Sequence, residues 1–470
     1  MKRYQHDKIL RGAIFLAAVF AFILPVSAQD CNCVANQVIV QLTNSANLPA
    51  VSAQYGLNPT PISQVASPSI YLLQITNGST PTQVVNAMTA PLDPRITFAE
   101  VNRKLSQVEK PGLNWTQGRS WAVGRSWAVG GSAKGYAKQY FPDTVRLDQA
   151  YAEAGTRGLR VDNNQPIVVA VLDTGIDRNH PAFAGKLVPQ ADMWDFVDGD
   201  NDPSEVGVLR VNPSYGHGTH VSGIVALTVP DAKIMPLRIL DQHGEGELWR
   251  ITAALIWAAN HGADVANLSF GYPDDVRLLK DLLDELDDGV TVSGTRFPIG
   301  THLLAATVAS GNGGELPLPF PTQKVYPAAE EADGMLSVAA STRYERLASF
   351  SSYHKDWVNV TAPGEDIVSA LPGGRYGMWS GTSMAAPIVA GITALVKARF
   401  PTRFNTPKDL LEYVKETSVD KRWTGQNEIP PWGEIRLKRV DAYCAVTNNF
   451  TCPIPTSVAN TSGFEQFIVR

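Results

Sequence analysis

"QPIVVAVLDTGID", residues 165–177, decides how the rest of the chain is read. An unbroken apolar run, Ile167–Leu172, stops at a carboxylate, Asp173. A strand with no polar alternation is one buried on both faces, as in a parallel sheet covered by helices. An aspartate that ends such a strand is ordinarily a turn or cap residue. In a doubly wound sheet, however, sites form at the carboxyl ends of the strands. Asp173 therefore has two readings, and the neighbouring elements must decide between them.

The same pattern recurs downstream. "AKIMPLRIL" (232–240), "ADVANLSF" (263–270) and "THLLAATVAS" (301–310) read as further buried strands. "LWRITAALIWAANHG" (248–262) and "PIVAGITALVKARF" (387–400) have helical periodicity. Strands alternating with helices predict an α/β unit with a doubly wound, mostly parallel sheet over residues 140–450, followed by a tail over 451–470.

Upstream, Lys2, Arg3, Lys8 and Arg11 precede the apolar run Ala13–Leu24 and then Val26-Ser27-Ala28. That order predicts an export signal over 1–28, because the run is too short to span a bilayer. Residues 29–105 read as a small α+β domain. "NQVIVQL", "SIYLLQI" and "RITFAEV" are its strands, and "ANLPAVSAQYGL" and "TPTQVVNAMTA" its helices. Residues 106–139 contain "RSWAVG" twice in tandem and read as an exposed linker. A net charge of −5 supplies no basic footprint for nucleic acid. The cysteine count is even, which suits an exported protein; Cys444 and Cys452 could close a short loop, and the partners of Cys31 and Cys33 stay open.

Two more motifs bear on Asp173. "YGHGTHVSG" (215–223) sets His217 and His220 three apart at a helix start, which alone suits a metal pair or a structural histidine. "MWSGTSMAAPIVAG" (378–391) surrounds Ser383 with small residues at the start of a helix, which alone suits a cap. Pro387 is expected in the first helical turn. Asp, His and Ser together are the three roles of acyl transfer: orienting carboxylate, general base and nucleophile. They lie far apart in sequence, so only the fold can assemble them.

"DTGID", "HGTHVSG" and "GTSMAAP", in that order, resemble the three active-site motifs of subtilisin-like serine peptidases, the subtilases. The resemblance runs over about residues 140–447 and includes "YPAAEEADGMLSVAASTRYERLASFSS" and "VNVTAPGEDIVSALPGGRYGMWSGTSM". It implies a secreted serine endopeptidase with Ser383 as nucleophile, His217 as base, Asp173 as orienting carboxylate and Asn312 of "ASGNGG" as oxyanion donor. It makes His220 a packing or hydrogen-bonding residue rather than a metal ligand. It also implies two backbone edges beside an extended polypeptide substrate, carrying Gly244, Gly246, Ser269, Phe270 and Gly271, with Ser310 and Gly311 adjoining. By the same resemblance the 29–105 domain is an inhibitory propeptide that the enzyme removes from itself. Catalysis needs no cofactor. "DFVDGDNDPSE" (195–205) reads plainly as a solvated acidic turn, while its likeness to a calcium-binding loop of some subtilases implies structural calcium at Asp198, Asp200 and Asp202. Two departures stand out: Ile388 where many relatives have histidine, and an apparent insertion, "DDGVTVSGTRFPIG" (287–300). The alternative function is a catalytically inactive subtilase fold used for binding. An α/β-hydrolase is disfavoured because no G-x-S-x-G is present.

Overall fold

The apolar runs Val38–Val40 and Ile70–Leu73 are continuous rather than alternating, so the N-terminal sheet buries both of its faces, each in a different core. Strands β1 (Cys33–Leu42), β2 (Ser63–Val65), β3 (Ile70–Gln74) and β4 (Ile96–Gln107) pair antiparallel in the order β4-β1-β3-β2. Val38, Val40 and Leu73 point to a private core with Val51, Val84 and Met88 from two helices, Leu48–Tyr55 and Pro81–Thr89. Thr80 starts the second helix with a capping box to Gln83, Pro81 following it, a device worth about 1 kcal/mol. The opposite face, Ile39, Ile70 and Leu72, joins the core of the large unit instead. The structure, a computed structural model, describes residues 31–65, 69–107, 127–208, 211–273, 275–288, 303–313, 324–423 and 435–452. The export-signal segment, the first RSWAVG copy, most of the apparent insertion and the tail beyond residue 452 lie outside these residues.

Downstream, the strands are β5 (Trp127–Gly131), β6 (Val168–Asp173), β7 (Trp194–Asp195), β8 (Lys233–Arg238), β9 (Glu245–Glu247), β10 (Val265–Leu268), β11 (Phe270–Gly271), β12 (Ala305–Ala309), β13 (Met335–Ser341), β14 (Val360–Pro363), β15 (Ile367–Leu371), β16 (Arg375–Trp379), β17 (Val419–Trp423) and β18 (Ile435–Arg439). Nine of them form the central sheet, in the order β17-β18-β14-β13-β12-β10-β6-β8-β7. Every pairing is parallel except β17 with β18. The sheet is doubly wound, as predicted. Val169 and Val171 of β6 face the helices His217–Thr228 and Thr382–Arg399, while Ala170 and Leu172 face the helices Leu248–Asn260 and Arg277–Asp288. The two-residue period therefore puts Asp173 on the same face as the histidine and serine helices.

The linker expectation needs correction in its second half. The second RSWAVG copy contributes β5, which pairs antiparallel with β16, and Ala133–Ala137 form a short helix capped by Ser132. Gln139 locks this stretch down: its amide donates to Val368 O (2.7 Å) and accepts from Val368 N (3.0 Å). β4 also runs two residues past the expected boundary at 105. The cysteines pair as Cys31–Cys33 and Cys444–Cys452. Among the described residues no helix is long and apolar enough to cross a membrane.

Candidate active site

Asp173, His217 and Ser383 arrive at one end of the sheet from three elements. Asp173 ends β6, His217 opens its helix, and Ser383 is the second residue of the Thr382–Arg399 helix. All three are buried. Asp173 Oδ1 lies 2.7 Å from His217 Nδ1 and also accepts from Thr174 N at 2.7 Å. This fixes the imidazole with Nδ1 toward the carboxylate and Nε2 on the other side of the ring. The close approach needs a glycine. A Cβ at Gly218 would meet Gly175 O at 2.2 Å, so the residue after the histidine must lack a side chain.

Pro387 is not in the first helical turn, as expected from sequence, but lies inside the helix. A proline has no N–H for the carbonyl four residues back. That carbonyl belongs to Ser383, and Ser269 Oγ donates to it at 3.1 Å. In return Ser383 Oγ donates to Ser269 O at 3.3 Å. Asn267 Nδ2 donates to Ser269 Oγ at 2.9 Å and orients the hydroxyl. The resemblance implies Ser269 only as part of a backbone edge beside the substrate; its side chain also secures the serine's peptide unit.

Asn312 follows β12. Its Oδ1 accepts from Thr382 N (2.9 Å) and Thr382 Oγ1 (3.1 Å), which assigns the amide so that Nδ2 is its donor face. Ser383 N–H belongs to the first helical turn, where backbone donors have no intrahelical acceptor. Ser310 Oγ turns away to Ser352 O (3.1 Å), and Gly311 N donates to Thr382 Oγ1 (3.1 Å). Those two residues brace the asparagine loop.

The expected cleft edges are β9, with Gly246 following the turn at Gly244, and β11, formed by Phe270 and Gly271. A Cβ at Gly246 would meet Leu240 Cδ2 at 2.7 Å and Ile239 O at 3.0 Å, so a side chain here would crowd this edge. Strand β4 runs between the two edges. Lys104, Leu105 and Ser106 pair with Glu247, Gly246 and Glu245, while Ser106 and Gln107 pair with Gly271 and Phe270.

His220 is buried against Trp379, with ring centroids 4.4 Å apart and planes 5° from parallel. Burial pushes its pKa down to about 3, with His217 adding to the effect. It is a neutral packing residue, as the motif implied.

The calcium expectation does not fit the geometry. Asp198 reaches Arg238 (2.5 Å) beside Asp195 (2.6 Å), and Asp202 reaches Arg178 (2.9 Å). Asp200 Oδ1 caps Asp202 N (2.8 Å). The carboxylates are directed to separate cationic and backbone partners, and among the described residues they do not converge on one point. The acid that sequence reasoning missed is Glu205, at the end of the same loop. It accepts from Thr174 Oγ1, Gly216 N, Thr219 N and Thr219 Oγ1. No motif announces it, because two of its donors are main-chain groups.

A parallel doubly wound sheet with an Asp–His pair at a strand end and a serine opening the adjoining helix defines a subtilisin-like serine-type endopeptidase. Comparison with known proteins agrees. Residues 164–433 match the Subtilase family, and the chain belongs to that family. It is similar to a thermophilic serine proteinase of Bacillus sp. (strain AK1), 34% identical over 66% of this chain and 67% of that protein. Thermitase of Thermoactinomyces vulgaris is 32% identical over 56% of this chain and 83% of the relative. Among solved structures, fervidolysin from Fervidobacterium pennivorans, a keratinolytic enzyme related to subtilisin, superposes with a TM-score of 0.64. That likeness covers 91% of this chain and 62% of fervidolysin at 22% identity, so it speaks to the fold alone.

Proposed function

We propose that the protein is a secreted serine endopeptidase made as a zymogen, and that it removes its own N-terminal domain through an Asp173–His217–Ser383 triad. The observation that carries this is the course of β4: the last strand of the N-terminal domain occupies both edges of the cleft as a substrate backbone would. Two further contacts support an inhibitory role. Asn102 Oδ1 accepts from Trp249 N (3.1 Å), and Glu100 Oε2 accepts from Leu278 N (3.0 Å). The N-terminal domain thus caps the first turns of two helices of the catalytic unit. The basic and apolar N-terminus and the two disulfides support export to an oxidising compartment.

In the reaction, Ser383 Oγ leaves the Ser269 carbonyl and passes its proton to His217 Nε2 as it attacks the scissile carbonyl carbon. Asp173 holds Nδ1–H and stabilises the imidazolium. The carbonyl oxygen becomes an oxyanion facing Ser383 N–H and Asn312 Nδ2. The C–N bond then breaks, the leaving amine takes the proton from Nε2, and an ester to Ser383 remains. Water activated by His217 cleaves that ester.

The register of β4 supports a particular first cut. Gln107 pairs with Phe270, and the preceding residue Ser269 has its carbonyl 3.3 Å from Ser383 Oγ. The bond after the next residue in the chain, Val108–Glu109, is therefore expected to break first. Intact-mass analysis of the parent protein, with casein cleavage and fluorophosphonate labelling alongside, tests this. A first product ending far from residue 108 contradicts the register argument. A parent protein inert to both reagents contradicts the protease.

Release of the cut domain should depend on pH. Glu100's carboxyl is pushed up to about 7 from an ordinary 4.5, first by burial, with Asp275 and Asp281 adding to it against Arg103 and the Leu278 N–H. A group whose pKa is raised in the assembled state favours assembly when protonated. That contribution is complete below 4.5 and is lost as pH rises through about 7. Cleaved protein held at pH 8 should gain activity at least about tenfold faster than at pH 5.5, with aliquots assayed at one common pH. Glu100→Gln should flatten the dependence; an unchanged profile in that variant would remove Glu100 from the account.

A further inference from the structure

His217 is the first residue of its helix, and that position is electrostatically awkward for a base. The N–H groups of a first helical turn give the helix a partial positive charge at its start. A positive field disfavours the imidazolium that His217 must become. Gly216 occupies the cap position and has no side chain to answer those donors. Glu205 does so from another part of the chain. Its Oε1 accepts from Thr219 N (3.0 Å) and Thr219 Oγ1 (3.1 Å), and its Oε2 from Gly216 N (3.1 Å).

The same carboxylate also grips the other half of the pair. Thr174, which follows Asp173, donates its hydroxyl toward both carboxylate oxygens at 3.2 Å. Thr174 Oγ1 in turn accepts from Gly218 N at 2.9 Å. Glu205 is itself held by Ile176, whose N–H donates to Pro203 O (2.9 Å) and whose carbonyl accepts from Glu205 N (3.3 Å). Residues on either side of the Asp173–His217 contact are therefore tied to one anion. Every partner of that anion is a donor, which suits the ionised form. Burial raises its pKa, the bonds from Gly216 and Thr219 oppose this, and Asp173 adds to it.

We propose that Glu205 is a positioning residue for the acid–base pair: it locks the strand end bearing Asp173 to the helix start bearing His217, and its charge offsets the helix dipole at the imidazole. The inference rests on the triad reading. The other charged or titratable groups around this point are Asp173 and Asp177 on the strand-end loop, Tyr215 before the helix, and Arg375 of β16. His220, further along the helix, is neutral.

The test uses processed enzyme, with active sites counted by fluorophosphonate titration so that misfolded molecules do not enter kcat. Glu205→Gln keeps the shape and removes the charge. Per titrated site, kcat should fall about tenfold or more with KM nearly unchanged, and the acid limb of kcat/KM should move about half a pH unit lower. Glu205→Asp keeps the charge and shortens the reach, so kcat should fall while the acid limb stays in place. A residue that only stabilised the fold would lower yield and melting temperature in both variants and leave kcat per site and both limbs at parental values; that result overturns the proposal. Parental protein without peptidase activity would instead overturn the function on which it rests.

Discussion

Ser383→Ala is expected to accumulate as one long chain lacking only the export signal, with no mature enzyme beside it. In the parent the N-terminal domain is covalently continuous with a cleft it already fills. Asp173, His217 and Ser383 are buried in that state, and β4 is paired along the edge beside Ser383. A cut there is most simply made from within. Removing the hydroxyl takes away the nucleophile while leaving the helix start intact. The Ser383 N–H remains, and Ser269 Oγ still satisfies the carbonyl that Pro387 leaves without a helical donor. The variant should therefore fold. Its peptidase activity should fall about 10⁶-fold, a magnitude borrowed from the equivalent loss in a subtilisin. Size analysis of the purified variant, incubated alone, decides the matter: conversion at the parental rate would mean that another enzyme does the processing.

Asp173 was legible because a strand buried on both faces leaves a clear edge where polarity begins. His217 and Ser383 were legible because small residues must surround groups that approach one another so closely, as the 2.2 Å clash of a Cβ at Gly218 makes plain. The extension of β4 was not. Lys104–Gln107 pair through main-chain atoms, so their side chains need no strand-like alternation. The second RSWAVG copy likewise reads as linker by composition, yet β16 offers it an edge. The acidic loop misled because spacing reports how many carboxylates are near, not what answers them. Arg238 and Arg178 do so, and neither lies inside the motif. Pro387 was misread for a related reason: its effect appears one turn back, on the carbonyl of Ser383, and its remedy comes from Ser269, remote in the chain.

Asn312→Ala should lower kcat about 10²–10³-fold with little change in KM, a magnitude borrowed from the same loss in a subtilisin. What matters is when charge appears. A substrate carbonyl is neutral on binding and becomes an oxyanion only as Ser383 attacks, so a donor aimed at that oxygen acts chiefly on the transition state. Asn312 is suited to the task because Thr382 N and Thr382 Oγ1 both donate to its oxygen, which leaves its NH₂ as the face turned from the helix. Alanine, however, also deprives Thr382 of two bonds, and Thr382 is fully buried beside the nucleophile. A fall in kcat could then arise from a displaced helix start. Asn312→Asp separates the two causes. It keeps an acceptor for Thr382 and so should melt near the parental temperature, yet it replaces the donor with a carboxylate that repels the oxyanion. Its kcat should drop at least as far as that of the alanine variant. An aspartate variant with nearly parental kcat would show that anchoring Thr382 is the role of Asn312; a large rise in KM with kcat intact in either variant would show that it binds the ground state.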